Sequence, residues 1–135
     1  MVCQYVVPML LLHALVRLAT CDPTITVYSP DQDAANVPTD TSIVLTFDDQ
    51  MQAGTAGGVT LAPAGGASVV IQAVGSPAGS ITYTTSAPYQ ITISPSAAGI
   101  SLSSQTLYTV TIGSTAFRAT DPANTAYFPG LSGTA

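Results

Sequence analysis

The sequence predicts an all-β protein, a two-sheet antiparallel sandwich of about seven strands. Short segments in which apolar and polar residues alternate recur along the chain, as in residues 42–47, 89–94 and 107–112. Such alternation places every second side chain on the same face of a strand. Pro, Gly, Ser or Asp closes each segment, and no long stretch has the spacing of an amphipathic helix. These features together are typical of short strands connected by turns.

The first strand is predicted over residues 24–28, with Ile25 and Val27 facing the core. Pro30 ends this strand, because proline has no backbone N–H to donate to a neighbouring strand. Residues 31–38 then form a loop.

The later strands follow from the same alternation. The second strand, residues 42–47, directs Ile43, Leu45 and Phe47 inward, and residues 48–51 turn the chain. The remaining predicted strands cover residues 59–61, 68–74, 81–84, 89–94 and 107–112, with a weak last segment at 126–128. Their predicted inward residues are Val69, Ile71, Ala73, Tyr89, Ile91, Ile93, Tyr108, Val110 and Ile112.

Residues 1–21 are predicted to be a signal peptide and residues 22–135 a single domain. The apolar run 6–16 is shorter than the roughly 20 residues of a membrane-spanning helix, and small residues precede Asp22. A signal peptide indicates a secreted or cell-surface protein. Residues 1–5 contain no Lys or Arg, which departs from that pattern. The alternative is a terminal segment that stays attached and packs against the domain.

Cys21 has three interpretations. The segment Leu18-Ala19-Thr20-Cys21 resembles a lipobox, which implies lipidation of Cys21, although Thr20 replaces the usual Gly, Ala or Ser. Cleavage directly after Cys21 would instead leave a mature domain without cysteine. The third interpretation is a disulfide between Cys3 and Cys21, which requires a retained leader in an oxidising compartment.

The composition excludes one class of partner. Charged residues make up 7% of the chain, with seven acidic residues, all Asp, and only Arg17 and Arg118 as cations. A chain without a basic patch cannot displace the counterions of a nucleic acid, so nucleic-acid binding is excluded. Apolar residues make up 47% of the chain, which is typical of a folded domain rather than a disordered one.

No residues assemble a convincing catalytic site, and no cofactor is expected. His13, the only histidine, lies in the predicted leader, so the mature protein would have no imidazole for acid–base work. Two carboxylates can catalyse glycoside hydrolysis when a cleft holds them at the required separation. The sequence offers two such pairs, Asp31 with Asp33 and Asp48 with Asp49. They lie in turn-like segments, where solvated aspartates that cap turns are the simpler interpretation.

Calcium binding is a second interpretation of the acidic residues. The carboxylates of Asp31, Asp33 and Asp121 are hard oxygen ligands of the kind that calcium prefers. They would form a site if the fold brought them together at one pole of the sandwich.

Leu102, Thr106 and Tyr108 have the spacing of a tyrosine corner at the entry to a strand. In such a corner the tyrosine hydroxyl bonds to the backbone a few residues upstream. The alternative is an ordinary core tyrosine.

Several short motifs occur in a characteristic order over residues 24–124. They are Ser29-Pro30, Val37-Pro38, the strand and turn residues Ile43, Leu45, Phe47, Asp48 and Met51, Thr60-Leu61, residues 91–95, Leu102, residues 108–110, Asp121 and Asn124. In this order they resemble the bacterial Ig-like domain of the kind found in surface-layer protein SbsA and in many large extracellular proteins. The resemblance implies an immunoglobulin-like fold in which Phe47, Leu102 and Tyr108 are structural positions.

The end of the chain departs from this family pattern. Members of the family normally finish with a full strand after the Asn that corresponds to Asn124. In this chain only Ala126, Tyr127 and Phe128 precede Pro129. We therefore expect the final strand to be short or missing. An incomplete sandwich has an open edge, which can accept a strand from a neighbour.

Two functional hypotheses follow. The first is a structural module that self-associates or packs with neighbouring Ig-like domains in a surface layer, fibre or stalk. The uncharged, hydroxyl-rich surface favours this hypothesis, because removing water from it costs less free energy than removing water from charged groups. The second is an adhesion module that recognises a glycan or a protein through its loops, such as residues 48–58. Glycan-binding sites commonly stack an aromatic side chain on a sugar ring. The chain has no Trp, so this side chain would have to be Tyr28, Tyr83, Tyr89 or Tyr127.

Overall fold

The computed structural model describes residues 21–121 and 125–131. Its elements are strands apart from one short 3₁₀ helix, Ser96–Ala98. The strands are β1 (Ile25–Ser29), β2 (Ile43–Phe47), β3 (Met51–Ala53), β4 (Gly58–Pro63), β5 (Val69–Gln72), β6 (Ile81–Tyr83), β7 (Tyr89–Ile93), β8 (Tyr108–Ile112) and β9 (Phe117–Ala119). The predicted all-β class is confirmed.

Four strands form the first sheet, in the order β1-β2-β7-β6, and all neighbouring pairs are antiparallel. The central pair is β2 and β7, whose register places Leu45 opposite Ile91 and Ile43 opposite Ile93. Because residues directly opposite each other share a face, these side chains form one apolar surface toward the second sheet.

The second layer contains β5, β4 and β8, continued by the pair β3 and β9. The Gly54 N–H donates to the Ala116 carbonyl at 2.7 Å, and the Gly113 N–H donates to the Gly58 carbonyl at 3.0 Å. These bonds continue the pairing across the gap between the two sheets, so β3 with β4, and β8 with β9, each form one interrupted strand. The nine segments therefore amount to about seven strands, in the sheet orders of an immunoglobulin-like sandwich.

The core lies between the two layers. Its most deeply buried large apolar side chains are Leu45, Val59, Leu61, Ile71, Ile91, Ile93 and Phe117. Two edge-to-face ring pairs connect the first sheet to the last part of the chain, Phe47 with Phe128 at 5.4 Å and Tyr83 with Phe117 at 6.2 Å between ring centroids. Aromatic pairs in this arrangement add to the stability that burial alone provides.

The alternation predicted for β1 is wrong at Val27. Ile25 pairs with Phe47 and Val27 with Thr46, so a β-bulge lies between them. A bulge inserts one residue and therefore shifts the alternation by one position. Val27 is 53% exposed as a result, and Tyr28 takes the inward position and packs against the core.

The inward prediction is also wrong at Val69, which is 40% exposed, although Ile71 on the same face is buried. Val69 begins β5, the outermost strand of its sheet. A residue at the corner of a sheet has neighbours on fewer sides than a central one, so the pattern alone overestimates its burial.

Residues 48–58 are not the open loop that the adhesion hypothesis requires. They contain β3, which pairs with β9, and Met51 is buried in the core. A three-residue strand is too short for its alternation to be recognised in the sequence. The exposed residues of this stretch are Asp48 and residues 55–57.

Within the described residues, the final segment forms no continuous strand. Residues 125–131 run beside β8 and β9 but form isolated bridges, at Tyr127 with Arg118 and at Leu131 with Ile112. Phe128 is nevertheless buried in the core. Residues 122–124, which include Asn124 of the predicted turn, lie outside the described residues.

The predicted signal peptide also lies outside the described residues, except for Cys21. Cys3, the partner in one of the three interpretations of Cys21, is not among the described residues. Within residues 21–121 and 125–131, no helix has the length and hydrophobicity needed to cross a membrane.

Candidate interaction site

A groove of about 860 Å³ opens at one end of the sandwich, between the β1–β2 loop and the β7–β8 loop. We call it the end groove. Its floor is formed by Ile43 and Leu45 from β2, Leu61 from β4 and Val110 from β8. The floor is therefore apolar and belongs to both sheets.

The β1–β2 loop forms one wall of the end groove. All residues from Asp31 to Asp40 are exposed, so the loop stands away from the sheets. Two local turns shape it, with the Ala34 N–H donating to the Asp31 carbonyl and the Thr41 N–H to the Pro38 carbonyl, both at 3.1 Å. Because the loop contains few apolar side chains, it does not collapse onto the apolar floor.

The β7–β8 loop forms the opposite wall. The Ser103 N–H donates to the Tyr108 hydroxyl at 2.9 Å, which is the bond that the spacing of Leu102, Thr106 and Tyr108 predicts. The Thr106 hydroxyl donates to the Ser104 carbonyl at 3.1 Å, and Leu102 packs against the core. These contacts hold the loop beside the start of β8.

Backbone conformations that are unusual for non-glycine residues occur in both walls. Asp33, Asn36 and Gln105 have φ values of 60°, 59° and 55°, and all three line the end groove. They are the only non-glycine residues with positive φ in the described part of the chain. Asp and Asn tolerate this conformation, whereas Gln adopts it less often. Such backbone is found preferentially at functional sites.

The proposed calcium ligands are not brought together. Asp31 and Asp33 lie on the wall of the end groove, whereas β8 and β9 carry the chain from there to the far end of the sandwich before Asp121. At that end the Thr120 N–H donates to the Gln50 carbonyl at 2.9 Å. Among the described residues, no group of three or more His, Cys, Asp or Glu side chains is arranged to hold a metal ion.

The other carboxylate pair makes one long-range contact and one local contact. Asp48 accepts hydrogen bonds from the Thr24 N–H at 2.8 Å and from the Thr24 hydroxyl at 2.6 Å. Asp49 accepts one from the Gln50 N–H at 2.7 Å. Asp48 thereby connects the start of β1 to the end of β2.

Three buried polar atoms have no hydrogen-bond partner among the described residues: the Ser80 hydroxyl, the Tyr83 hydroxyl and the Arg118 Nε. Burial raises the pKa of Tyr83 to about 12. The Tyr83 ring packs on Phe117 and does not line the end groove. Tyr83 therefore belongs to the packing of the core rather than to this site.

Val37, Gln105 and Leu107 line the end groove, and the sequence analysis assigned them no role. They belong to two loops that are distant in sequence, so no local pattern indicates that they share a site. The sequence signals that fall in this region are the spacing of Leu102, Thr106 and Tyr108, the carboxylates of Asp31 and Asp33, and the Val37-Pro38 motif.

The sheet orders and the two-layer core define an immunoglobulin-like sandwich. A family model described as a bacterial Ig-like domain matches residues 19–130, and the chain belongs to this family. Domains of the family are typically non-catalytic structural modules and usually occur on surface proteins. Comparisons with curated proteins and with solved structures returned no match.

Proposed function

We propose that this chain is a non-enzymatic extracellular module, of the SbsA type within its family, that packs or assembles with neighbouring domains in a cell-surface layer, fibre or stalk. The observation that supports this best is the distribution of charge. No charged residue occurs between Asp49 and Arg118, a stretch that contains all strands from β3 to β8. Packing such surfaces together requires little desolvation of charge.

The edge strand β5 is the best candidate for such packing. Ala73 donates its N–H to the Gly57 carbonyl at 2.9 Å, so residues 69, 71 and 73 point their backbone groups toward β4. Val70 and Gln72 point theirs outward. The Ser76 hydroxyl donates to the Gln72 carbonyl, whereas no described residue pairs with the outward groups of Val70. Its side chain is 47% exposed.

An unprotected, uncharged edge invites pairing with another chain, and a lysine on the edge opposes it. We therefore test assembly by light scattering of the purified full chain and of its Val70→Lys variant. The expected result is concentration-dependent oligomers of the unchanged protein and at least about tenfold weaker association of the variant.

Ser86→Lys is the matched control, since it adds the same charge at an exposed position outside the strands. It should associate like the unchanged protein. A full chain that stays monomeric at high concentration, or a Val70→Lys variant that associates equally well, would refute assembly through β5.

The second candidate is an adhesion module that recognises a glycan or a protein. The end groove favours this candidate, because it is concave and includes Tyr28 in its lining. Glycan-array binding of the full chain that is lost in Tyr28→Ala would support glycan recognition over assembly.

Secretion is part of the proposal. We propose that residues 1–21 are a signal peptide that is removed on export, which leaves Asp22 as the first residue. Mass spectrometry of the protein recovered from the host surface tests this. An N-terminus at Asp22 supports it, whereas a lipid on Cys21 or a retained Cys3–Cys21 disulfide would each contradict it.

A further inference from the structure

The outer edge of β8 is largely uncovered among the described residues. Toward β4, the Leu107 carbonyl accepts from the Ala64 N–H at 2.9 Å. In the opposite direction, Ile112 exchanges two bonds with Leu131, at 2.9 and 3.1 Å. Because strand residues alternate in direction, Tyr108 and Val110 also point their backbone N–H and C=O groups to this outer side.

The end groove lies beside this edge. Val110 and Tyr108 line it together with the floor residues Ile43, Leu45 and Leu61. An extended segment that paired with β8 would therefore direct every second side chain toward the apolar floor.

The residues that follow Leu131 in the sequence do not supply such side chains. Residues 132–135 are Ser, Gly, Thr and Ala. None of them is large and apolar, so the side chains that would fill the floor must come from a segment other than these four residues.

The charge around the end groove indicates the chemistry of that segment. Asp31 and Asp33 line one wall and are exposed. Complementary charges at an interface favour encounter and fix orientation. The chain has no Lys, and its only cation after residue 21 is Arg118, within β9. That strand is already paired with β3, so a copy of the domain without residues 1–21, which we propose are removed, has no unpaired strand that carries a cation. A different polypeptide therefore fits better.

We propose that the outer edge of β8 and the end groove bind an extended strand of a different polypeptide, with large apolar residues at alternate positions and Lys or Arg at its end. The strand pairs with the backbone of Tyr108 and Val110. Its apolar side chains pack on Ile43 and Val110, which line the end groove and are only half-buried, and its cation lies near Asp31 and Asp33. The proposal deepens the proposed function, since it identifies how a neighbour completes the sandwich.

The test is titration of the full chain with the synthetic peptide Lys-Thr-Val-Thr-Leu-Thr-Val-Thr-Lys, followed by amide NMR and calorimetry. Binding should shift the amide signals of Tyr108 and Val110 and should weaken as salt is added. The control peptide Lys-Thr-Thr-Val-Val-Leu-Thr-Thr-Lys has the same composition without the alternation, and it should bind at least about tenfold more weakly.

Two variants locate the site. Leu107 lines the end groove and is 62% exposed, so Leu107→Lys should fold normally and weaken peptide binding at least about tenfold. Val74 is 54% exposed and lies outside the groove, so Val74→Lys should bind like the unchanged protein. Circular dichroism checks that both variants are folded.

The two aspartates in the wall of the end groove allow a second comparison, of the salt dependence of peptide binding. The double substitution of Asp31 and Asp33 by Asn should reduce the dependence of peptide binding on salt, whereas Asp22→Asn, outside the groove, should leave it unchanged. Equal binding of both peptides, no binding of either, or binding that Leu107→Lys does not alter would overturn the proposal.

The result is independent of the test of assembly through β5. Oligomers that disappear in Val70→Lys, together with no peptide binding, would leave the proposed function standing and refute strand binding at β8. Peptide binding by a chain that stays monomeric would support strand binding and refute assembly through β5.

Discussion

At the scale of single residues, Tyr108 shows how one side chain can shape a binding surface. Its ring packs against the core, and its hydroxyl accepts the Ser103 N–H. The two residues are five positions apart, so the sequence spacing was enough to predict this bond. It fixes the β7–β8 loop, and therefore one wall of the end groove.

We predict that Tyr108→Phe lowers the free energy of unfolding by about 1 kcal/mol. The variant removes one hydrogen bond, and water can partly replace it because Ser103 is exposed. Urea unfolding measures the change. The matched control is Tyr89→Phe, because no hydrogen bond of the Tyr89 hydroxyl is found among the described residues. Equal stability of the two variants would contradict a structural role for the bond.

Tyr83 is the opposite case, a buried hydroxyl without a partner among the described residues. Burial raises its pKa from 10.0 to about 12. An unfolded tyrosine ionises near pH 10, so between about pH 10 and 12 the unfolded chain releases a proton that the folded protein retains. Stability should therefore be fully present below pH 10 and fall as the pH rises through this range.

Tyr83→Phe should make this decline shallower. At pH 7 the variant should be at least as stable as the unchanged protein, because it removes an unpaired buried hydroxyl. Thermal melting at several pH values tests both statements, with Tyr89→Phe as the control that leaves the decline in place. A Tyr83→Phe variant that declines as steeply as the unchanged protein would show that Tyr83 does not cause it.

At the scale of elements, the long strands were predictable and the interruptions were not. The alternation in β2 and β7 identified their inward faces, because both strands are central in their sheet and keep a regular register. In β1 the bulge shifted the phase and exposed Val27. β3 and β9 have three residues each, which is too few to define a period.

Close approach between β4 and β5 leads to an element-scale prediction. A Cβ atom at Gly58 would lie 2.1 Å from the Ile71 carbonyl oxygen. Gly58→Ala should therefore separate the two strands and lower the free energy of unfolding by about 1–3 kcal/mol, the usual cost of overpacking. Thermal or urea unfolding measures this loss.

Gly113 offers the control, since a Cβ there has no neighbour closer than 3.7 Å. Gly113→Ala should stay within about 0.5 kcal/mol of the unchanged protein. A Gly58→Ala variant of equal stability would mean that β5 can move away from β4 at little cost.

At the scale of the whole molecule, the sequence between Asp49 and Arg118 contains no charged residue, and Arg118 lies within β9. The acidic residues lie before β3 and after β9. They fall into different places, with Asp31 and Asp33 at the end groove and Asp121 beyond β9. The strands from β3 to β8 therefore carry no charged residue.

We predict that calcium does not stabilise the fold. Asp31, Asp33 and Asp121 do not form a metal-holding group in the described structure, and calcium requires six to eight oxygen ligands around one ion. The melting temperature should be the same in millimolar calcium and in chelator. A rise of several degrees with calcium that is lost in Asp33→Asn would contradict this.

The sequence by itself determined the all-β class, the positions of the long strands and the bond at Tyr108. These features depend on local alternation, on turn residues or on spacings of a few positions. Only the tertiary structure decided the exposure of Val27, the place of β3 and β9, the separation of Asp121 from Asp31, and the end groove. Each of these depends on which distant segments pair and in what register, and pairing between strands is not encoded in the pattern of either strand alone.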